Sequence, residues 1–241
     1  MDLSIFDAYN LRARLCPSLI LLSPIAISIF LCIEKIRTVS ATSFFLIILL
    51  AFANSIPIIQ RRLYEKHLSR SNDNPEKNTE KNSRAAEMLS PSDNKIDSVS
   101  KMRYYRKLAK CDESFSPFST PDHDSVNDEL CRSAEIYLRS RTRDNRLVLE
   151  ENINYGFCKN LIEGKRMGTI LCGICFVCVI VISWLVFDTF SSIPFQNYLA
   201  AILDLFILLF LLLGMKESDL NRAADNYAMA LITAIDTLDA D

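Results

Sequence analysis

Apolar residues in this 241-residue chain are gathered in blocks instead of recurring at helical or strand spacing along its length. Four blocks, residues 15–33, 38–60, 167–187 and 195–215, reach the roughly 20 residues that a helix needs to cross a hydrocarbon core of about 30 Å. The first three contain no charged residue, and the fourth contains one, Asp204. They predict an all-α membrane protein with four transmembrane helices in two pairs, the first pair in 15–60 and the second in 167–215. A polar insert, 61–166, separates the pairs, and a short tail, 216–241, predicted to be an amphipathic helix, follows them.

Within the insert, residues 69–94 are so poor in core-forming side chains that they read as a disordered linker. Beyond it, Val99, Met102, Tyr105 and Ala109 recur at three- and four-residue steps and mark one helix face, with Lys101, Arg103, Arg106, Lys107 and Lys110 opposite. The stretch from Ser116 to Pro121 breaks that helix. Val126, Leu130, Ala134 and Tyr137 set out a second helix, with Asp124 or Ser125 as its cap and Asp128 and Glu129 in its first turn, where acidic groups suit the helix dipole. A third starts near Asp144, carries Leu147, Val148 and Leu149, and is expected to be interrupted at Gly156. This small helical insert is marginal as a core of its own, so contact with the membrane helices or with other protomers of a homo-oligomer is expected. In the tail, Leu220, Ala224, Tyr227, Leu231, Ala234 and Leu238 alternate at steps of four and three, the spacing of a helix seam. Packing against the insert and pairing between chains both satisfy that spacing. Residues 1–14, with Phe6, Tyr9 and Leu11 among charges, read as an interfacial segment.

Charge adds an orientation, because basic residues are retained on the cytoplasmic side of a membrane. Arg61, Arg62, Lys66 and Arg70 follow the second block and Lys159, Lys165 and Arg166 precede the third, whereas the turn after the third block has Asp188 and no cation. This makes the insert and both termini cytoplasmic, and the chain a multi-pass protein of the cell inner membrane. A cleavable leader is the rival reading of the first block. That block, however, is longer than the usual leader core of about 7–15 residues. It also holds Pro17 and Pro24 and runs into Glu34-Lys-Ile-Arg37 without a small-residue cleavage site. The eight cysteines lie in or beside the blocks or on the side read as cytoplasmic, where thiols stay reduced. The net charge of −2 hides a split: residues 61–166 hold 21 Lys and Arg against 18 Asp and Glu, while residues 216–241 hold two against six. A mildly basic insert and an acidic tail attract one another.

Asp204 is the most informative single residue, since an ionisable group in mid-span costs several kcal/mol against lipid and is kept where it meets protein, water or ions. Two readings stand for it. One is a pore-lining carboxylate that attracts cations or relays protons, with Asn54 as a second pore candidate; the other is an interhelical hydrogen bond with Asn54 or a serine. The run Cys172, Cys175, Cys178 has the look of a metal-cluster motif, but a regular helix does not converge three thiols on one ion. With Gly168 and Gly173 it reads as a small-residue packing face, and neither a metal nor another cofactor is expected. Lys101, Arg103, Tyr104, Tyr105, Arg106 and Lys107, with Arg139, Arg141 and Arg143, have the composition of a nucleotide or oligonucleotide site, cations for phosphates and rings for stacking. The plainer reading of the same residues is a basic face attracted to anionic membrane lipid. The two histidines, His67 and His123, fall outside the predicted helices, and there is no phosphate-cradling glycine loop, zinc-protease pair or serine elbow, so no enzyme is expected.

The junction Glu150-Glu-Asn-Ile-Asn-Tyr-Gly-Phe157 joins the insert to the third block, and its Asn154, Tyr155, Gly156, Phe157 and Lys159 are candidates for coupling one to the other. This junction carries a resemblance, together with Tyr9-Asn-Leu-Arg-Ala-Arg14 before the span with Pro17 and Pro24, Arg103-Tyr-Tyr, Arg141-Thr-Arg-Asp144 and the tail run that starts Ala223-Ala-Asp-Asn-Tyr. In these residues the chain resembles a family of bacterial four-span proteins encoded near antiviral defence genes. It departs from that family's pattern at Cys158-Lys159, where two arginines are usual, and at Gly164-Lys-Arg, where Gly-Leu-Lys-Pro is usual. The resemblance implies an effector paired with a nucleotidyltransferase, as in Hailong-type systems, and acting as an ion channel controlled by a nucleotide or oligonucleotide second messenger.

Overall fold

The computed structural model of the chain describes residues 8–37, 42, 43, 46, 83–119 and 126–238. All regular structure among them is helical, and none is strand. In chain order the helices are α1 (Cys16–Cys32), α2 (Arg84–Leu89), α3 (Ser98–Cys111), α4 (Asp128–Arg141), α5 (Arg146–Val186), α6 (Phe195–Leu209) and α7 (Glu217–Thr233). They belong to two compact units, one drawn from Met1–Asn72 and Gly156–Leu220, the other from Asp73–Tyr155 and Asn221–Asp241.

The first unit holds the apolar blocks. Three helical stretches are long and apolar enough to cross a membrane: Asn10–Cys32, Arg146–Val186 and Phe195–Gly214. The block at 38–60, with Asn54, lies almost wholly outside the described residues. A π-helical turn, Asn10–Leu15, leads into α1, so the segment read as interfacial is already helical here, with Ala13 fully buried. Pro17 stands near the junction of the π-helical turn and α1.

The direction of packing within this unit follows from which residues meet. Asn160 donates to the Ala13 carbonyl at 2.7 Å, Gly156 faces Ala13, and Gly168 faces Leu21, so α1 and this part of α5 run parallel. Lys165 reaches the carbonyls of Leu212 and Met215, Cys172 reaches that of Asp204, and Asn197 donates to Ser183 at 2.8 Å, so α6 returns antiparallel to α5. Leu21, Leu161 and Leu211 form the buried centre, with Phe157 and Ile207 against it. Outward-facing residues are also apolar: Trp184, Leu185, Phe206 and Leu213 are each about 70% exposed, and a bilayer supplies the solvent that such a surface requires.

In the second unit, α2, α3, α4, the first turns of α5 and the tail share one core. Met88, Leu89, Tyr105, Leu108, Phe118, Ala134, Leu138, Leu231, Ile232 and Ile235 are at its centre. Phe118 lies 4.8 Å from Tyr105, centroid to centroid, and Phe115 meets the edge of Tyr137 at 5.3 Å. The tail therefore buries its apolar residues against the insert of its own chain, not along a seam reserved for a second copy. Carboxylates of the tail meet cations of the insert as the charge split anticipates: Asp225 pairs with Lys95 at 2.9 Å and with Arg84 at 3.7 Å.

Several expectations are corrected. Residues 84–89, inside the stretch read as linker, form α2, because Ala85, Ala86, Met88 and Leu89 all enter the core although their polar flanks conceal them. The buried face of α3 is Lys101, Tyr104, Tyr105 and Leu108, whereas Val99 is 79% exposed. Asp97 caps α3 by accepting from the Ser100 amide, and Asn127 caps α4 by accepting from the Leu130 amide; Asp124 and Ser125 lie outside the described residues. Gly156 does not interrupt the third helix. It is helical and buried, and its missing side chain leaves room for Ala13: a Cβ there would stand 2.9 Å from that of Ala13 and 3.1 Å from the Tyr9 hydroxyl.

Candidate functional site

Two places in the fold gather polar chemistry, one in each unit. The first surrounds Asp204 on α6. This carboxylate has no exposed surface. Its Oδ2 accepts from the Ser28 hydroxyl of α1 at 2.8 Å, and its backbone carbonyl accepts from Cys172 Sγ of α5 at 3.1 Å. Its Oδ1, equally buried, has no hydrogen-bond partner among the described residues. Asp204 thus fastens three helices together from inside the chain, with one acceptor left over, and does not face outward. Cys172 is buried, Cys175 partly buried and Cys178 exposed, so the three thiols fan around α5. Among the described residues no group of three or more His, Cys, Asp and Glu is placed to hold a metal ion.

A second site lies on α3. Arg103, Arg106, Lys107 and Lys110 recur at helical spacing and, with Ser98, Val99 and Met102, line an open groove of about 820 Å³ without an acidic side chain among the described residues of its lining. From Arg103 to Lys110 the stripe advances by seven residue steps, roughly 10 Å at 1.5 Å per residue, which matches about three nucleotide steps of a stacked strand at about 3.4 Å each. Two of the cations touch the tail: Arg103 Nη2 lies 2.8 Å from Asp236 Oδ2, and Lys107 Nζ donates to the Asp236 carbonyl at 2.6 Å. Arg103 also stacks over Tyr104, its guanidinium carbon 5.1 Å from the ring centre.

Other residues singled out in the sequence are engaged elsewhere. Lys101 is 7% exposed and donates to the carbonyls of Ser90 and Asp93 at 2.8 and 2.6 Å, joining the turn after α2 to α3; burial holds its pKa below the ordinary lysine value. Tyr105 is buried and donates to the Leu89 carbonyl, and burial raises its pKa. Tyr104 is also buried, so neither ring offers an open stacking face. Arg139 pairs with the buried carboxylate of Glu135 and lies over Tyr227, which stacks on Tyr155 with ring planes 3° apart. Arg141 lies against Tyr137, and Arg143 is exposed. Of the junction residues, Asn154 and Lys159 are exposed, Tyr155 belongs to the stack just described, Gly156 accommodates Ala13, and Phe157 packs on the centre of the first unit.

Sequence reasoning did not single out Ser28 or Asp236. Ser28 is one of several serines in an apolar run, and nothing local marks it as the partner of an acid far along the chain. For Asp236 a signal was present in the opposite charges of insert and tail. Comparison of the chain with family models, curated proteins and solved structures gives no match.

Proposed function

We propose that this protein is a ligand-gated, homo-oligomeric channel of the bacterial inner membrane and the effector of an antiviral defence system. Its ligand is a nucleotide or short oligonucleotide made by a partner nucleotidyltransferase and bound in the groove on α3. The observation that carries this reading is that groove: four cations in one helical stripe, with no acidic side chain among the described lining residues, in a unit whose chain continues into membrane-spanning helices. Such a stripe attracts phosphates, and counterion release makes the attraction strongly dependent on salt. The resemblance seen in the junction and the tail supplies the defence context. A fourth span at residues 38–60 completes the membrane part, and the basic flanks place the insert and both termini in the cytoplasm.

Purified protein in planar bilayers, recorded with and without short single-stranded DNA and RNA, tests the proposal. A conductance that changes with the oligonucleotide, and whose response is lost in Arg106→Ala/Lys110→Ala, is the expected result. Absence of conductance under every ligand sinks the channel.

The burial of Asp204 favours a second reading. A carboxylate enclosed between helices of its own chain serves assembly, which suits a non-conducting membrane scaffold that recruits a cytoplasmic enzyme through the insert. Such a scaffold leaves membrane potential unchanged and co-purifies with a partner only while residues 96–166 are present.

A further inference from the structure

We infer that the C-terminal tail is a built-in competitor for the groove on α3, with Asp236 standing where a ligand phosphate would bind; this rests on the groove being the ligand site. The last turn of the tail, Ala234–Thr237, is anchored by Ala234 and Ile235, both buried in the core of the second unit. That anchoring leaves Asp236 on the outside, facing α3. Its carboxylate meets Arg103, and its backbone carbonyl meets Lys107. These two cations are one row of the same stripe, beside a second row formed by Arg106 and Lys110, and all four line the groove. A carboxylate against a guanidinium is the chemistry by which a phosphate would be held there, so tail and ligand require the same donors.

The contact is also built to yield. Both side chains are largely in water, Arg103 at 58% and Asp236 at 42% exposure, and an exposed pair of this kind is weak and screened by salt. A ligand with several phosphates engages Arg106 and Lys110 first and then displaces a single carboxylate from Arg103. Release of Asp236 loosens the turn 234–237 without unfolding α7, because Leu231 and Ile232 remain in the core. The tail thereby sets a threshold: a ligand with one phosphate gains little over the contact it replaces, and a longer one gains more.

The test uses the full chain in detergent, with a fluorescein-labelled single-stranded DNA of six mixed nucleotides as the probe and fluorescence anisotropy as the readout. Asp236→Asn is expected to bind about threefold to fivefold more tightly than wild type, the scale of one exposed ion pair. Asp236→Glu, which restores the charge, is expected to return to wild-type affinity. Arg106→Ala/Lys110→Ala, which leaves the Asp236 contacts intact, is expected to weaken binding in either background. Hydrogen exchange at residues 234–238 is expected to quicken when the probe binds wild type. Binding that Asp236→Asn leaves unchanged or weakens, while Arg106→Ala/Lys110→Ala still weakens it, overturns the latch and keeps the groove. Absence of binding in every variant overturns both.

Discussion

Asp204 shows how much a single side chain determines in a membrane unit. Its carboxylate accepts from Ser28, its carbonyl accepts from Cys172, and its remaining oxygen has no partner among the described residues. The hydrogen bond and the charge are separable by substitution. Asp204→Asn keeps an acceptor for Ser28 and removes the charge; Asp204→Leu removes both at similar volume. If the residue serves as an interhelical bond, thermal unfolding in detergent should show Asp204→Asn within a few tenths of a kcal/mol of wild type. Asp204→Leu should be destabilised by about 0.6–1.7 kcal/mol, the scale of such bonds between membrane helices. Equal stability of Asp204→Leu and wild type would show that the bond contributes nothing. If the protein conducts ions as proposed, a change of ion preference in Asp204→Asn without loss of assembly would reveal a role in permeation beyond the bond.

At the scale of the helix, α5 separates close contact from open space along one sequence. Gly156 lies against Ala13, whose Cβ belongs to a stiff helix and cannot rotate away, whereas a Cβ at Gly173 would meet nothing within 4 Å. Gly156→Ala should therefore lower stability by about 1–3 kcal/mol, as overpacking does, while Gly173→Ala should raise it by up to about 1 kcal/mol through helix propensity. Equal effects at the two positions, measured by thermal unfolding, would contradict the packing described here. The same helix shows what could be read beforehand. The block at 167–187 was legible as a helix of spanning length because lipid demands an uninterrupted apolar run. Gly156 was misread as a break because local propensity carries no knowledge of Ala13, a residue distant in sequence. On α3 the cationic stripe was visible from spacing, but Lys101 was counted with it: only the folded turn after α2 presents the two carbonyls that make a buried lysine tolerable. Tyr104 and Tyr105 likewise have the composition of a stacking site in the sequence, whereas in the fold both rings belong to the core of the second unit.

For the molecule as a whole, the packing directions constrain the path of the chain. α1 and the part of α5 that contacts it run parallel, so a chain that crosses a membrane through α1 must return to the starting side before it enters α5 at Gly156. The number of crossings between Cys32 and Gly156 is then odd. Only one apolar block of spanning length lies between them, residues 38–60, with no charge in it. α6 runs back against α5, which brings Lys216 to the side where Arg12, Arg14, Lys159, Lys165 and Arg166 are found, while Glu34, Lys35, Arg37 and Asp188 are at the other. The larger share of cations on the first side is what the proposed cytoplasmic orientation of the insert and termini expects. Reporter fusions test this at four places. Alkaline phosphatase joined after Arg37 or after Asp188 should be active, and green fluorescent protein there dark. Green fluorescent protein joined after Ser119 or after Asp241 should fluoresce, and phosphatase there should be inactive. Phosphatase activity after Ser119 would overturn the proposed fourth span at 38–60, and with it the cytoplasmic position that a groove for a cytoplasmic nucleotide requires.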